Sequence, residues 1–161
     1  MTERMPYPDA MSSSSRSPAL LGWRLLALIY DALPVVALWM LISTAFTLAY
    51  TFLGDHAVHE NIAPFSLLQW LLWLCCWFAT GLYAVFSWRR GGQTLGMRPW
   101  RLKVMDSQGH APSVRALCLR YAVASLSLLA AGLGFFWAWV DRQGLTWHDH
   151  ASGTRLHRLP K

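Results

Sequence analysis

Charge is what this chain has least of. Only 14% of its 161 residues are Asp, Glu, Lys or Arg, against about 25% in a soluble domain. With 55% hydrophobic residues, that scarcity excludes an ordinary soluble domain and points to an integral membrane protein. Cysteine is sparse as well. Cys75 and Cys76 are adjacent and cannot readily pair, Cys118 stands apart, and no C-x-x-C spacing occurs. All three read as small buried hydrophobes. Enzyme signatures are missing: there is no Ser in a G-x-S-x-G context, no H-E-x-x-H and no P-loop. "GGQTLG" lacks the lysine and the preceding strand of a phosphate loop, and reads as glycine flexibility where a helix stops. The expectation is a non-enzyme without cofactor. His148, Asp149, His150 and His157 could hold a metal only in an extended tail, and a third ligand at a suitable spacing is not evident, so no metal is expected.

Long apolar runs are what the chain has instead. Residues 1–18, with "SSSSRS", read as a disordered tail; 19–159 form the membrane domain. Its segments cover about 20–53, 65–88 and 113–140. Each is long enough to cross a hydrocarbon core of about 30 Å at 1.5 Å per residue. Ten Trp residues suit interfacial belts, with Trp70 and Trp88 near the two ends of the second segment. Between the second and third segments, "RLKV" alternates and "DSQG" has turn composition. This stretch reads as a short β-hairpin, or an extended loop, on the membrane surface. The expected fold is an all-α membrane protein, a small polytopic bundle of three to four membrane segments.

The net charge is +6, and its placement gives the orientation. Arg4, Arg16 and Arg24 flank the first segment, while "GDHAVHENIAP" after it has no Lys or Arg. Arg89, Arg90, Arg98, Arg101, Lys103 and Arg115 fill the next loop. The N-terminus and that loop are therefore expected in the cytoplasm. Arg142, Arg155, Arg158 and Lys161 also ask for the cytoplasm, which one third crossing would deny them. Either the third run is re-entrant, broken near Gly132 and Gly134, or the tail departs from the rule. The basic residues lack a nucleic-acid-binding platform, so no nucleic acid is expected.

Arg24 and Asp31 lie seven residues apart, on one stripe of a helix. An Asp this deep should face protein or water, since a charge at the bilayer centre costs about 2.5–3.5 kcal/mol on insertion scales. Pro34 removes the backbone bond to the Tyr30 carbonyl and leaves an acceptor beside Asp31. Together these would suit a small cation or a proton. Arg24, Asp31 and a C-terminal Asp149 in "HDHASGTR" form a pattern that resembles the RDD family. "GGQTLGMRPWRLKVMDSQG" followed by "RALCLRY" is similar to that family's central stretch, and the likeness runs from about Leu20 to Leu159. His150 and the closing "RLHRLPK" depart from the expected pattern, and Asp141 is the other candidate for the second acid.

The resemblance implies a multi-pass bacterial inner-membrane protein, for which transport of ions or small ligands is the usual suggestion. Arg24, Asp31 and Asp149 are then expected to form one polar seam, with Tyr30, Pro34, Arg120 and Asp141 in support. Two functions follow. One is transport, most concretely cation/proton exchange through Asp31. The other is a structural or accessory role, with the helices and basic loop holding a second copy or another membrane protein.

Overall fold

A computed structural model describes residues 20–54, 60 and 62–160. The expected tail at 1–18 and most of "GDHAVHENIAP" lie outside the described residues. Two long helices come first, α1 (Leu21–Leu53) and α2 (Leu67–Gly91). Both are long and apolar enough to cross a membrane. At 1.5 Å per residue they extend about 50 and 38 Å. Ser66 caps α2, its hydroxyl accepting from Gln69 N–H at 3.3 Å. Gly92 ends it in a left-handed turn at φ 72°. Most large apolar side chains along α1 are exposed, Leu33 at 75% and Leu41 at 70%, as a lipid-facing surface requires.

The third apolar run is two helices. α3 (Val114–Leu129) and α4 (Leu133–Val140) meet at 98°. The break falls where Ala131 and Gly132 both take positive φ, 54° and 78°. Gly132 N–H then bonds the Ser127 carbonyl at 2.8 Å, closing the turn. A Cβ on Gly134 would come within 2.8 Å of Ser127 Cβ. Glycine there lets α4 fold back tightly against α3. A short α5 (Trp147–Ser152) leads into the last strand.

The central stretch corrects the hairpin reading. Its turn forms, with Asp106 N–H bonded to the His110 carbonyl, but the chain does not return beside itself. Instead β1 (Leu102–Asp106) pairs antiparallel with β2 (Thr154–Arg158), from Leu102 opposite Arg158 to Asp106 opposite Thr154. Only two residues separate His110 from the helix-capping Ser113, too few for a second strand. The C-terminal segment supplies it. This pairing brings the stretch before α3 and the stretch after α4 to the same end of the molecule.

The core lies at that end, not midway along the helices. Ala27, Met97, Leu102, Val104 and Leu117 form it, with Trp23, Val85, Trp88, Trp100 and Leu156 packed around. Trp88 is thus a core residue as much as an interfacial one. Of the cysteines only Cys76 is buried; Cys75 and Cys118 point outward from their helices, and the expectation of burial fails for those two. Elsewhere the helices are tied by polar contacts. Trp39 Nε1 donates to Thr80 Oγ1 at 2.8 Å, Tyr121 O–H to the Trp77 carbonyl at 2.8 Å, and Trp77 Nε1 to Ser125 Oγ at 3.1 Å.

Candidate functional site

Arg24 and Asp149, 125 positions apart, meet inside the fold. Arg24 Nη1 donates to Asp149 Oδ2 at 2.6 Å. Arg120, on the first turns of α3, donates through Nη1 to Asp149 Oδ1 at 2.5 Å. The side chains of Arg24 and Arg120 are 7% and 5% exposed, and that of Asp149 is 0% exposed. The arrangement differs from a fork in which one arginine grips both oxygens. Here each oxygen takes its own arginine.

Local sequence puts Asp149 in place. "TWHD" opens α5 with a capping box: Asp149 N–H donates to Thr146 Oγ1 at 3.4 Å, and Thr146 N–H returns to Asp149 Oδ2 at 3.1 Å. Arg24 also donates to Thr146 Oγ1 at 3.2 Å, and Arg120 to Thr154 Oγ1 at 2.6 Å. The Trp88 ring lies 5.6 Å from the Arg120 guanidinium carbon, a distance at which an aromatic face attracts a cation. Two cations and one anion remain a net positive cluster. Burial alone would raise the Asp149 pKa, but the Arg120 and Arg24 charges outweigh it and hold the carboxyl well below the usual carboxylate range. His148 packs 4.9 Å from the Phe135 ring. Burial, then the nearby Arg120 charge, pushes its pKa down to about 3.

Asp31 stands apart from this cluster. It is half-buried, and three donors from other elements reach its carboxyl. Tyr83 O–H donates to Oδ1 at 2.7 Å, Gly96 N–H to Oδ1 at 2.9 Å, and the Thr94 hydroxyl to Oδ2. Leu95 N–H in turn donates to the Tyr83 oxygen at 3.1 Å. The expected single seam is therefore two centres on α1. Arg24 gathers Asp149 with Arg120, and Asp31 gathers the Gln93–Met97 loop with Tyr83. A separation of two turns along α1, about 10 Å, accounts for the division.

The supporting residues fall out as follows. Tyr30 turns away from Asp31 and places its ring edge-on to Trp100 at 5.5 Å. Pro34 sits within α1 without ending it. Asp141 accepts from Gln143 N–H and Leu145 N–H and lies 3.2 Å from His150 Nε2. It shapes the α4–α5 turn, and the acid that meets Arg24 is Asp149. The sequence reading missed Thr146, Thr154, Tyr83, Thr94 and Gly96. "TWHD" carried a legible capping signal for Thr146. "GGQTLG", read as glycine flexibility, held Thr94 and Gly96, and nothing in it named Asp31 as their acceptor.

A family model matches residues 18–153, and it is that of the RDD family. Comparison with curated proteins and with solved structures gave no match. The matched span contains Arg24, Asp31, the Gln93–Met97 loop, Arg120 and Asp149, and it takes in most of the chain. The chain belongs to the RDD family.

Proposed function

We propose that this chain is a non-enzymatic, multi-pass protein of a bacterial inner membrane that exchanges a proton for a small cation at Asp31. The observation that carries the reading is the carboxylate itself. It lies within an apolar spanning helix, among the oxygens of Tyr83 and Thr94 and one turn before Pro34. Hard cations take such oxygens, and an ionisable residue at membrane depth is a functional candidate by default. The Arg24–Asp149–Arg120 cluster then serves as a latch that holds the ends of α1 and α3 around that site. So few helices wall a path poorly, so several copies are expected to assemble.

Vesicles carrying imposed pH and cation gradients test this. Asp31→Asn keeps one oxygen for Tyr83 and Gly96, and the Thr94 hydroxyl can rotate to accept from the new amide. The fold should therefore persist while the charge is lost. Flux should disappear with protein abundance near normal; equal flux in variant and wild type removes the exchange reading.

The same donors favour a second reading, a non-catalytic accessory protein that holds a membrane partner. Three of the roughly four lone-pair positions of a carboxylate are taken here by donors. Asp31 in that case clamps a loop and carries nothing. Undiminished flux in Asp31→Asn selects it.

Orientation is proposed on charge. The β1–β2 pairing keeps both ends of the bent α3–α4 pair together, and Lys and Arg concentrate there. That end should be cytoplasmic, together with the N-terminus. A cysteine placed at Ser107 should label only from the cytoplasm and one at Glu60 only from the periplasm. A reporter after Lys161 should read cytoplasm; a periplasmic signal overturns the even number of crossings.

A further inference from the structure

A second feature of the same end belongs to neither polar centre. Where α2 ends, a cavity of about 140 Å³ opens between its last turn, β1 and the 109–112 segment. Arg89, Arg90 and Lys103 line it, together with His110 and the Gly91–Gly92 backbone. We propose that this cavity binds a phosphate group, presented by an anionic phospholipid headgroup or by free phosphate.

Three observations carry the assignment. First, its cations are unspent. Neither the Arg90 nor the Lys103 side chain has a hydrogen-bond or ion-pair partner among the described residues; the Arg90 guanidinium only lies over the Phe86 ring, at 5.8 Å. Arg89 makes a single bond, at 3.5 Å, to the Pro112 carbonyl. Second, three of the lining carbonyl oxygens that would repel an anion already accept hydrogen bonds. Trp88 O accepts from Gly92 N–H at 2.8 Å, Gly92 O from Val104 N–H at 2.8 Å and His110 O from Asp106 N–H at 3.0 Å. The nearby Asp106 carboxylate accepts through Oδ1 from Gln108 N–H and His110 N–H, while its Oδ2 lies 4.0 Å from the His110 ring. Third, the wall is shaped around the lysine. A Cβ on Gly92 would come within 2.7 Å of Lys103 Cγ and 2.8 Å of Cε. The glycine lets the stem lie flat and fixes where the ammonium emerges. Charged donors around a small concavity give the short charge-assisted bonds that phosphate oxygens accept.

The site lies where the spanning α2 leaves the membrane, so a headgroup can enter from the bilayer and free phosphate from water. The proposal does not rest on the exchange reading.

The test uses the full chain in nanodiscs of phosphatidylcholine alone or with phosphatidylglycerol, and in detergent with inorganic phosphate. Retained lipid is measured by native mass spectrometry and phosphate by calorimetry. Arg90→Gln and Lys103→Gln should each weaken binding about tenfold, the scale of one charge-assisted bond. Lys103→Arg should recover most of it. Arg98→Gln and Arg142→Gln remove the same charge outside the cavity and should change binding less than twofold. Cavity-dependent retention of phosphatidylglycerol identifies a headgroup, and cavity-dependent phosphate binding without lipid preference identifies the free ion. Either supports the site. Binding of neither ligand, or equal losses in the Arg98→Gln and Arg142→Gln controls, overturns it. Melting curves confirm that each variant is folded.

Discussion

Asp149→Ala should be the most damaging single substitution at the Arg24–Arg120 cluster. Breaking a buried ion pair typically costs about 3–5 kcal/mol, because the remaining charge is left uncompensated. Here one carboxylate serves two guanidinium groups, so its loss strands both. Arg24→Ala or Arg120→Ala leaves the carboxylate with one cation, and each should cost less. Arg120 should cost the more of the two, since it also bonds Thr154 and faces the Trp88 ring. The Arg24→Ala/Asp149→Ala double variant should lose less than the two single losses added. Asp149→Asn keeps an oxygen for the Thr146 N–H of the capping box, and should be nearly as harmful as Asp149→Ala. Melting in detergent measures all of these. If Asp149→Ala proves no worse than Arg24→Ala, charge compensation is not what holds the cluster.

The cluster also sets a pH dependence. Asp149 is depressed, so its contribution is full at neutral pH and is lost only below the usual carboxylate range. His148 is depressed to about 3 from an ordinary 6.5. The unfolded chain therefore takes up a proton that the folded chain refuses, and stability falls as pH drops from 6.5 towards 3. Melting between pH 7 and 5 should show a decline that His148→Phe removes. A decline that persists in that variant belongs to another group.

What the sequence conveyed depended on whether the signal was local. Apolar runs, the glycine break at Gly132 and the cap at Ser113 are written in consecutive residues. The pairing of Arg24 with Asp149 is expected from the family pattern, and the basic tail agrees with placing both at one membrane face. The partner of β1 could not be read this way. "RLKV" asks for a neighbour, and the neighbour, "TRLHR", lies about fifty residues later behind a bent helix pair. The same holds for Asp31. Its helix position predicted that it must face protein, yet a stripe on one helix does not say which loop will cross it. The expectation of a shared seam followed from the i, i+7 spacing. Two turns is far enough for each charge to find its own partners, and they did.

Gly96→Ala tests that second meeting most sharply. A Cβ on Gly96 would run into the Ala27 carbonyl oxygen, and would lie 2.6 Å from Asp31 N and 2.8 Å from Asp31 Cγ. Two of the three obstacles are backbone of α1, which cannot swing aside. At Gly81 the obstacle is the Tyr121 ring edge, at 2.8 Å, and a side chain can rotate. Overpacking typically costs about 1–3 kcal/mol, and lifting the loop would also break the Gly96 N–H and Thr94 bonds to Asp31, each worth about 1.5–3 kcal/mol to a charged acceptor. Gly96→Ala should therefore lose about 3 kcal/mol or more, and Gly81→Ala clearly less. Loop displacement has its own signature. Arg101, which unlike Arg98 is not followed by proline, is exposed on a loop anchored at Met97 and Leu102, both buried. Trypsin should cut there faster in Gly96→Ala than in wild type under native conditions. Thr94→Val removes one donor without a clash and should fall between the two. A Gly96→Ala protein with wild-type melting and wild-type cleavage would mean that the loop does not rest on α1, and Asp31 would then lack the donors that define its site.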